Sequence, residues 1–62
     1  MTALNSLRQS QGLTINEFAA VLGVSRSLVV KLLYRQRKPS VDVLKRLQRA
    51  FPEIDIGDYL NG

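Results

Sequence analysis

The 62-residue chain has no cysteine, no histidine and no tryptophan. Without cysteine there are no disulfide staples and no thiolate metal centres. Without histidine there is no imidazole to move protons or hold a metal ion. Acids are also sparse, with five Asp and Glu against nine Lys and Arg. They are scattered, and no pair falls on one expected helix face in the way that general acid and base chemistry requires. The glycines Gly12, Gly23, Gly57 and Gly62 form no phosphate-cradling motif. The expectation is therefore a protein that is not an enzyme and needs no metal or other cofactor. The start is polar, unlike a signal peptide, and no apolar run approaches membrane-spanning length. The missing cysteines suit a reducing cytoplasm, which is the expected location, with no membrane partner.

The length allows one domain, residues 1–62, with a small core whose stability is marginal. The charge is uneven. Arg26, Lys31, Arg35, Arg37, Lys38, Lys45, Arg46 and Arg49 crowd the middle, where Asp42 is the only acid. The segment after Pro52 carries Glu53, Asp55 and Asp58 and no base. Such a molecule turns one side toward a polyanion. For Lys45, Arg46 and Arg49, contact with that polyanion and a solvated face stand as equal readings.

The apolar pattern follows a helical period throughout, and no strand pattern or internal repeat competes with it. Thr2 is a candidate cap for a first helix that buries Leu4 and Leu7 and ends at Gln11 before Gly12. Thr14 and Glu17 form a capping box for a second helix that stops at Leu22. Ser25 caps a third, running to about Tyr34 or Arg35. Ser40, after Pro39, caps a fourth whose inner stripe is Val41, Leu44, Leu47 and Phe51, closed by Pro52. Asp55 caps a last short helix from Ile56 to Leu60, with Ile54 as a hydrophobic staple. Leu13, Phe18, Ala19, Leu22, Val24, Val29 and Leu32 complete the expected core. The fold class is all-α, a bundle of four to five short helices.

Within it, residues 15–34 have the spacing of a helix-turn-helix. Ala19 is small enough for a close helix crossing, and Gly23 can take the positive φ that stops one helix and turns the chain within a few residues. Val29 and Leu32 plug one face of the third helix into the core. Arg26, Ser27, Val30, Lys31 and Tyr34 are left on the other face, the kind of face a major-groove reader presents. Arg26 suits guanine O6 and N7, Ser27 several bases, Val30 a thymine methyl, and Lys31 a guanine or a phosphate. Tyr34 either bonds a phosphate or shields the core edge. Arg35, Arg37 and Lys38, in the loop that follows, are expected phosphate binders.

The run from Gly12 to Val29, then Lys38-Pro39-Ser40 and the helix it opens, resembles the Cro and repressor type of helix-turn-helix domain, the xenobiotic-response-element family. The likeness extends from Leu4 to Leu60 and is most specific at Leu22-Gly23-Val24-Ser25 and Lys38-Pro39-Ser40. It implies a lambda-repressor-like bundle that binds double-stranded operator DNA as a homodimer and represses transcription, as phage and prophage regulators do. By position it implies that Ser25 caps the reading helix and touches a phosphate, that Arg26, Ser27 and Lys31 reach base edges, and that Thr14 holds the DNA backbone. Three positions depart from the family pattern. Ile15 replaces a frequent glutamine, which passes its phosphate contact to a backbone N–H or to Asn16. Tyr34-Arg35-Gln36 lacks the usual glycine, so the third helix either runs longer or ends on a strained residue. Leu33 is apolar where the family is often polar, and either packs under the fourth helix or marks a partner surface.

Phe51, Ile54, Ile56, Tyr59 and Leu60 are more apolar residues than a short terminal helix needs, and they are the expected dimer interface, completed if necessary only on DNA. The competing function is a protein-interaction module, such as an antitoxin or anti-regulator on the same bundle, for which Leu33, Tyr34, Tyr59 and Leu60 speak. A DNA-binding domain of a longer regulator is equally compatible with the sequence.

Overall fold

A computed structural model describes residues 3–59. Helix α1 spans Ala3–Ser10, α2 Ile15–Leu22, α3 Arg26–Leu33 and α4 Val41–Ala50, and a 3-10 turn at Ile56–Tyr59 follows. No strand occurs among the described residues. The expected cap at Thr2 lies outside them.

The caps form where side-chain oxygens can take orphan helix N–H groups. The Thr14 hydroxyl accepts from the Glu17 N–H at 3.1 Å, and the Glu17 carboxylate accepts from the Thr14 N–H at 2.9 Å. Ser25 accepts from the Leu28 N–H and Ser40 from the Val43 N–H, each at 3.2 Å. Near the chain's end, Asp55 accepts from the Gly57 N–H at 2.9 Å, and the short element it opens is a 3-10 turn over Ile56–Tyr59; its expected end, Leu60, lies outside the described residues.

The first three helices stop in a common way. After α1, the Leu13 N–H bonds to the Arg8 carbonyl and Gly12 has φ +67°. After α2, the Val24 N–H bonds to the Ala19 carbonyl and Gly23 has φ +70°. After α3, the Gln36 N–H bonds to the Lys31 carbonyl at 2.8 Å, and Arg35 has φ +59°. Each is the paired hydrogen-bond pattern that closes a helix on a left-handed residue. Of the two endings left open for α3, the strained one occurs. The helix ends at Leu33, short of the expected Tyr34 or Arg35.

The core joins Leu4 and Leu7 of α1, Phe18, Ala19 and Leu22 of α2, Val29, Leu32 and Leu33 of α3, and Val43, Leu47 and Phe51 at α4 and its end. The Phe18 and Phe51 rings stack with centroids 6.1 Å apart. Leu13 and Val24, expected in the core, are half-buried against it. Helix α2 packs on α3 and α4, α1 on α3 and the 3-10 turn, and α4 on that turn.

One stripe needs correction. Val41 is 69% exposed, and Val43 is buried in its place. At helical periodicity Val41 lies about 120° round the axis from Leu47, whereas Val43 lies about 40° from it. The sequence stripe of Val41, Leu44, Leu47 and Phe51 took one edge of the helix for its centre. Leu33 is buried in the core, which takes it off any partner surface, and the main packing of α3 is on α2 and α1, not on α4.

Candidate nucleic-acid interface

Helix α3 divides cleanly by face. Val29, with no exposed surface, Leu32 and Leu33 point inward. Arg26, Ser27, Lys31 and Tyr34 are exposed, and Val30 is half-buried between them. Positions 26, 27, 30, 31 and 34 fall within an arc of about 140°. The buried residues set the rotation of the helix, and that rotation turns the polar arc outward.

The chemistry of the arc follows from its partners. Arg26 and Lys31 take part in no ion pair among the described residues, so both cations face water. Arg26 stands in the first turn of α3, where the helix dipole opposes a cation and favours an anion beside it. The Ser25 hydroxyl uses its oxygen on the Leu28 N–H and keeps its own proton to donate. Thr14 is exposed, but its hydroxyl oxygen accepts from the Glu17 N–H and its hydroxyl also faces the Glu17 carboxylate. Asn16 is exposed in the first turn of α2. The two bonds with Thr14, the backbone one first, hold the Glu17 carboxyl below its ordinary value despite full exposure.

The loop from Arg35 to Lys38 follows α3 directly and is exposed throughout. Arg35, Arg37 and Lys38 hold no ion pair among the described residues. Tyr34, 69% exposed, does not shield the core edge.

The middle cations separate into two kinds. Lys45, Arg46 and Arg49 are all exposed, and only their partners differ. Arg46 is engaged: its Nε donates to Asp42 Oδ2 at 2.9 Å, and its Nη1 donates to the carbonyls of Leu22 and Gly23 at 3.2 and 3.3 Å. Neither sequence reading of Arg46, contact or solvated face, described this. The Asp42–Arg46 spacing is a legible helix pair, but the bond to the turn joins segments far apart in the chain. Arg8 is a second cation with internal work, donating to the Leu13 carbonyl at 2.7 Å and to Asn5 Oδ1.

Of the five residues expected at a dimer interface, Phe51 is 7% exposed and belongs to the core. Its place at the end of α4 brings its ring over Phe18. Ile54, Ile56 and Tyr59 are half-buried, and Leu60 lies outside the described residues.

An N-capped helix with its apolar side fixed in a core, a polar cationic side outward and a basic loop after it defines a helix-turn-helix DNA-binding module. A helix-turn-helix family model matches residues 4–59, and the chain belongs to that family in its Cro/repressor-type form. The family is one of DNA-binding transcription regulators and is not typically enzymatic. No curated protein and no solved structure matches the chain. No helix among the described residues is long and apolar enough to cross a membrane.

Proposed function

We propose that the protein is a sequence-specific regulator of the phage or prophage Cro and repressor kind, which inserts α3 into the major groove of a palindromic operator. One observation carries this reading: the outward arc of α3 is polar and cationic, and Arg26 and Lys31 hold no ion pair among the described residues. Arg26, Ser27, Val30 and Lys31 read bases. Thr14, Asn16, Ser25, Tyr34, Arg35, Arg37 and Lys38 hold phosphates and set register. Two copies pair through the surface of Ile54, Ile56, Tyr59 and Leu60, on DNA if not before, with their reading helices about 34–36 Å apart.

Selection of bound duplexes from a random pool tests the reading. A palindromic winner supports it, and an unenriched pool refutes it. On the selected site, Arg26→Ala is expected to lose about 1–3 kcal/mol and relax one base position. Equal loss on specific and random DNA would reduce Arg26 to a phosphate clamp. The alternative, a protein-interaction module, loses one of its supports with the burial of Leu33.

A further inference from the structure

Arg46 ties two parts of the bundle that the backbone leaves separate. It stands on α4, and its Nη1 reaches the carbonyls of Leu22 and Gly23, in the turn between α2 and α3. Those carbonyls lie past the last hydrogen-bonded turn of α2, at the negative end of its dipole, where a guanidinium is favoured. On its other edge, Nε is held by Asp42 one turn earlier on α4. A charge-assisted bond of this kind orients the planar fork before it meets the turn. Three of its five N–H donations are thus made within the protein, which leaves only Nη2 to meet an outside acceptor. The fit is close. A Cβ placed on Gly23 would stand 2.9 Å from Arg46 Nη1.

The turn is short, and Ser25 begins α3 two residues after Gly23. Any rotation of the Leu22 or Gly23 peptide therefore swings the first turn of α3, where Arg26 and Ser27 sit. Small rotations matter there, because hydrogen bonds to base edges weaken steeply with angle.

We propose that Arg46 is a positioning residue for DNA reading: from α4, with Asp42 steadying it, it pins the α2–α3 turn and so sets the angle at which α3 presents Arg26 and Ser27. The inference rests on the reading of α3 as the DNA-reading helix. It separates Arg46 from the surrounding cations, which act by charge, because Arg46 acts by shape.

Two variants distinguish shape from charge. Arg46→Lys keeps the charge and loses the planar fork. Asp42→Asn leaves Arg46 intact, removes its steadying carboxylate and makes the protein more cationic. Affinities of the full chain for the selected operator and for random duplex DNA are measured over a range of salt, well below the melting temperature of each variant. For Arg46→Lys, the ratio of operator to random-DNA affinity is expected to fall about tenfold, the loss of one misaligned base contact. Affinity for random DNA and its salt slope should stay as in the parent. For Asp42→Asn the ratio falls in the same direction by less, although added positive charge by itself would strengthen DNA binding. Amide resonances of Gly23, Val24 and Ser25 should shift in both free variants.

A melting temperature lowered with the affinity ratio unchanged in both variants makes Arg46 a stability residue and overturns the proposal. Equal losses on operator and random DNA, with a shallower salt slope in Arg46→Lys, make it a phosphate contact and overturn it too. A parent chain that selects no sequence at all overturns the reading of α3 and this role together. A parent that selects an operator while both variants keep its ratio overturns the role of Arg46 alone.

Discussion

The turns at the two ends of α3 make the same backbone shape from opposite materials. The turn before it passes through Gly23 at φ +70°, and the turn after it passes through Arg35 at φ +59°. Each closes a helix with the same paired hydrogen bonds, from Val24 and Gly23 to α2 in one case and from Gln36 and Arg35 to α3 in the other. Glycine takes the left-handed conformation freely, whereas an L side chain loses roughly 1–2 kcal/mol there. The first turn, exposed at Gly23 itself, is braced by Arg46 seated against it. The second is open to water, beside the basic loop. The difference shows where the molecule relaxes its conformation and where it tolerates strain. The tolerated strain falls on a cation of the candidate interface, and backbone strain of that kind is concentrated at functional positions.

The largest effect should come from overloading the first turn. Gly23→Val forces a β-branched side chain into the left-handed region and against Arg46, and should destabilise the fold by about 2 kcal/mol or more. A thermal melt of that variant matching the parent would show that the turn is not built as described. The contribution of Arg46 to that crowding can be isolated with Gly12, which shares the conformation at φ +67° but has open space where its Cβ would stand. Gly12→Ala should lose about 1 kcal/mol from conformation alone. Gly23→Ala should lose more, since Arg46 must give way. Equal losses would mean that Arg46 yields without cost.

The reverse exchange at the second turn sharpens the comparison. Arg35→Gly should relieve about 1–2 kcal/mol of strain and lose about 0.4–1 kcal/mol to the added freedom of the unfolded chain. A net gain near 0.5–1 kcal/mol should raise the melting temperature by a few degrees. In the same variant, binding to any duplex should weaken and the salt slope should shallow by about one unit. A variant that is more stable and binds DNA as the parent does would leave Arg35 with strain and no function. The smallest effect concerns the capping box at the start of α2. The Glu17 carboxyl sits below its ordinary value of 4.5 in the folded chain. Its contribution is therefore present above that value and fades as pH falls through the lower folded one. Glu17→Gln should flatten that part of the pH–stability profile, and an unchanged profile would mean that the Glu17 carboxyl does not contribute to it.

Much of the interface was legible in the sequence for a simple reason. Thr14, Ser25 and Ser40 cap their helices through atoms three residues away, so local spacing suffices to find them. The same holds for the faces of α3, because the apolar Val29 and Leu32 fix which side is left for Arg26, Ser27 and Lys31. Less legible were residues whose role depends on a distant neighbour. Val41 stands three residues before Leu44 and Val43 four before Leu47, both helical spacings, and the stripe drawn through Val41 missed the residue that packing buries, Val43. Phe51 reads equally as core or as partner surface until Phe18 is seen against it.

What the sequence by itself determined is therefore the set of elements, the capped starts of α2, α3 and α4, the glycine turns after α1 and α2, and the outward chemistry of α3. These rest on contacts within one helical turn, on the φ range open to glycine, and on a period of apolar residues, all properties of a local stretch of chain. Tertiary structure alone decided the burial of Leu33 and Val43, the loss of Phe51 to the core, the strained ending at Arg35, and the latch from Arg46 to the α2–α3 turn. Each of these depends on which surface comes to lie across from a residue. A guanidinium on α4 finds the carbonyls of Leu22 and Gly23 only once α2 and α4 have packed together.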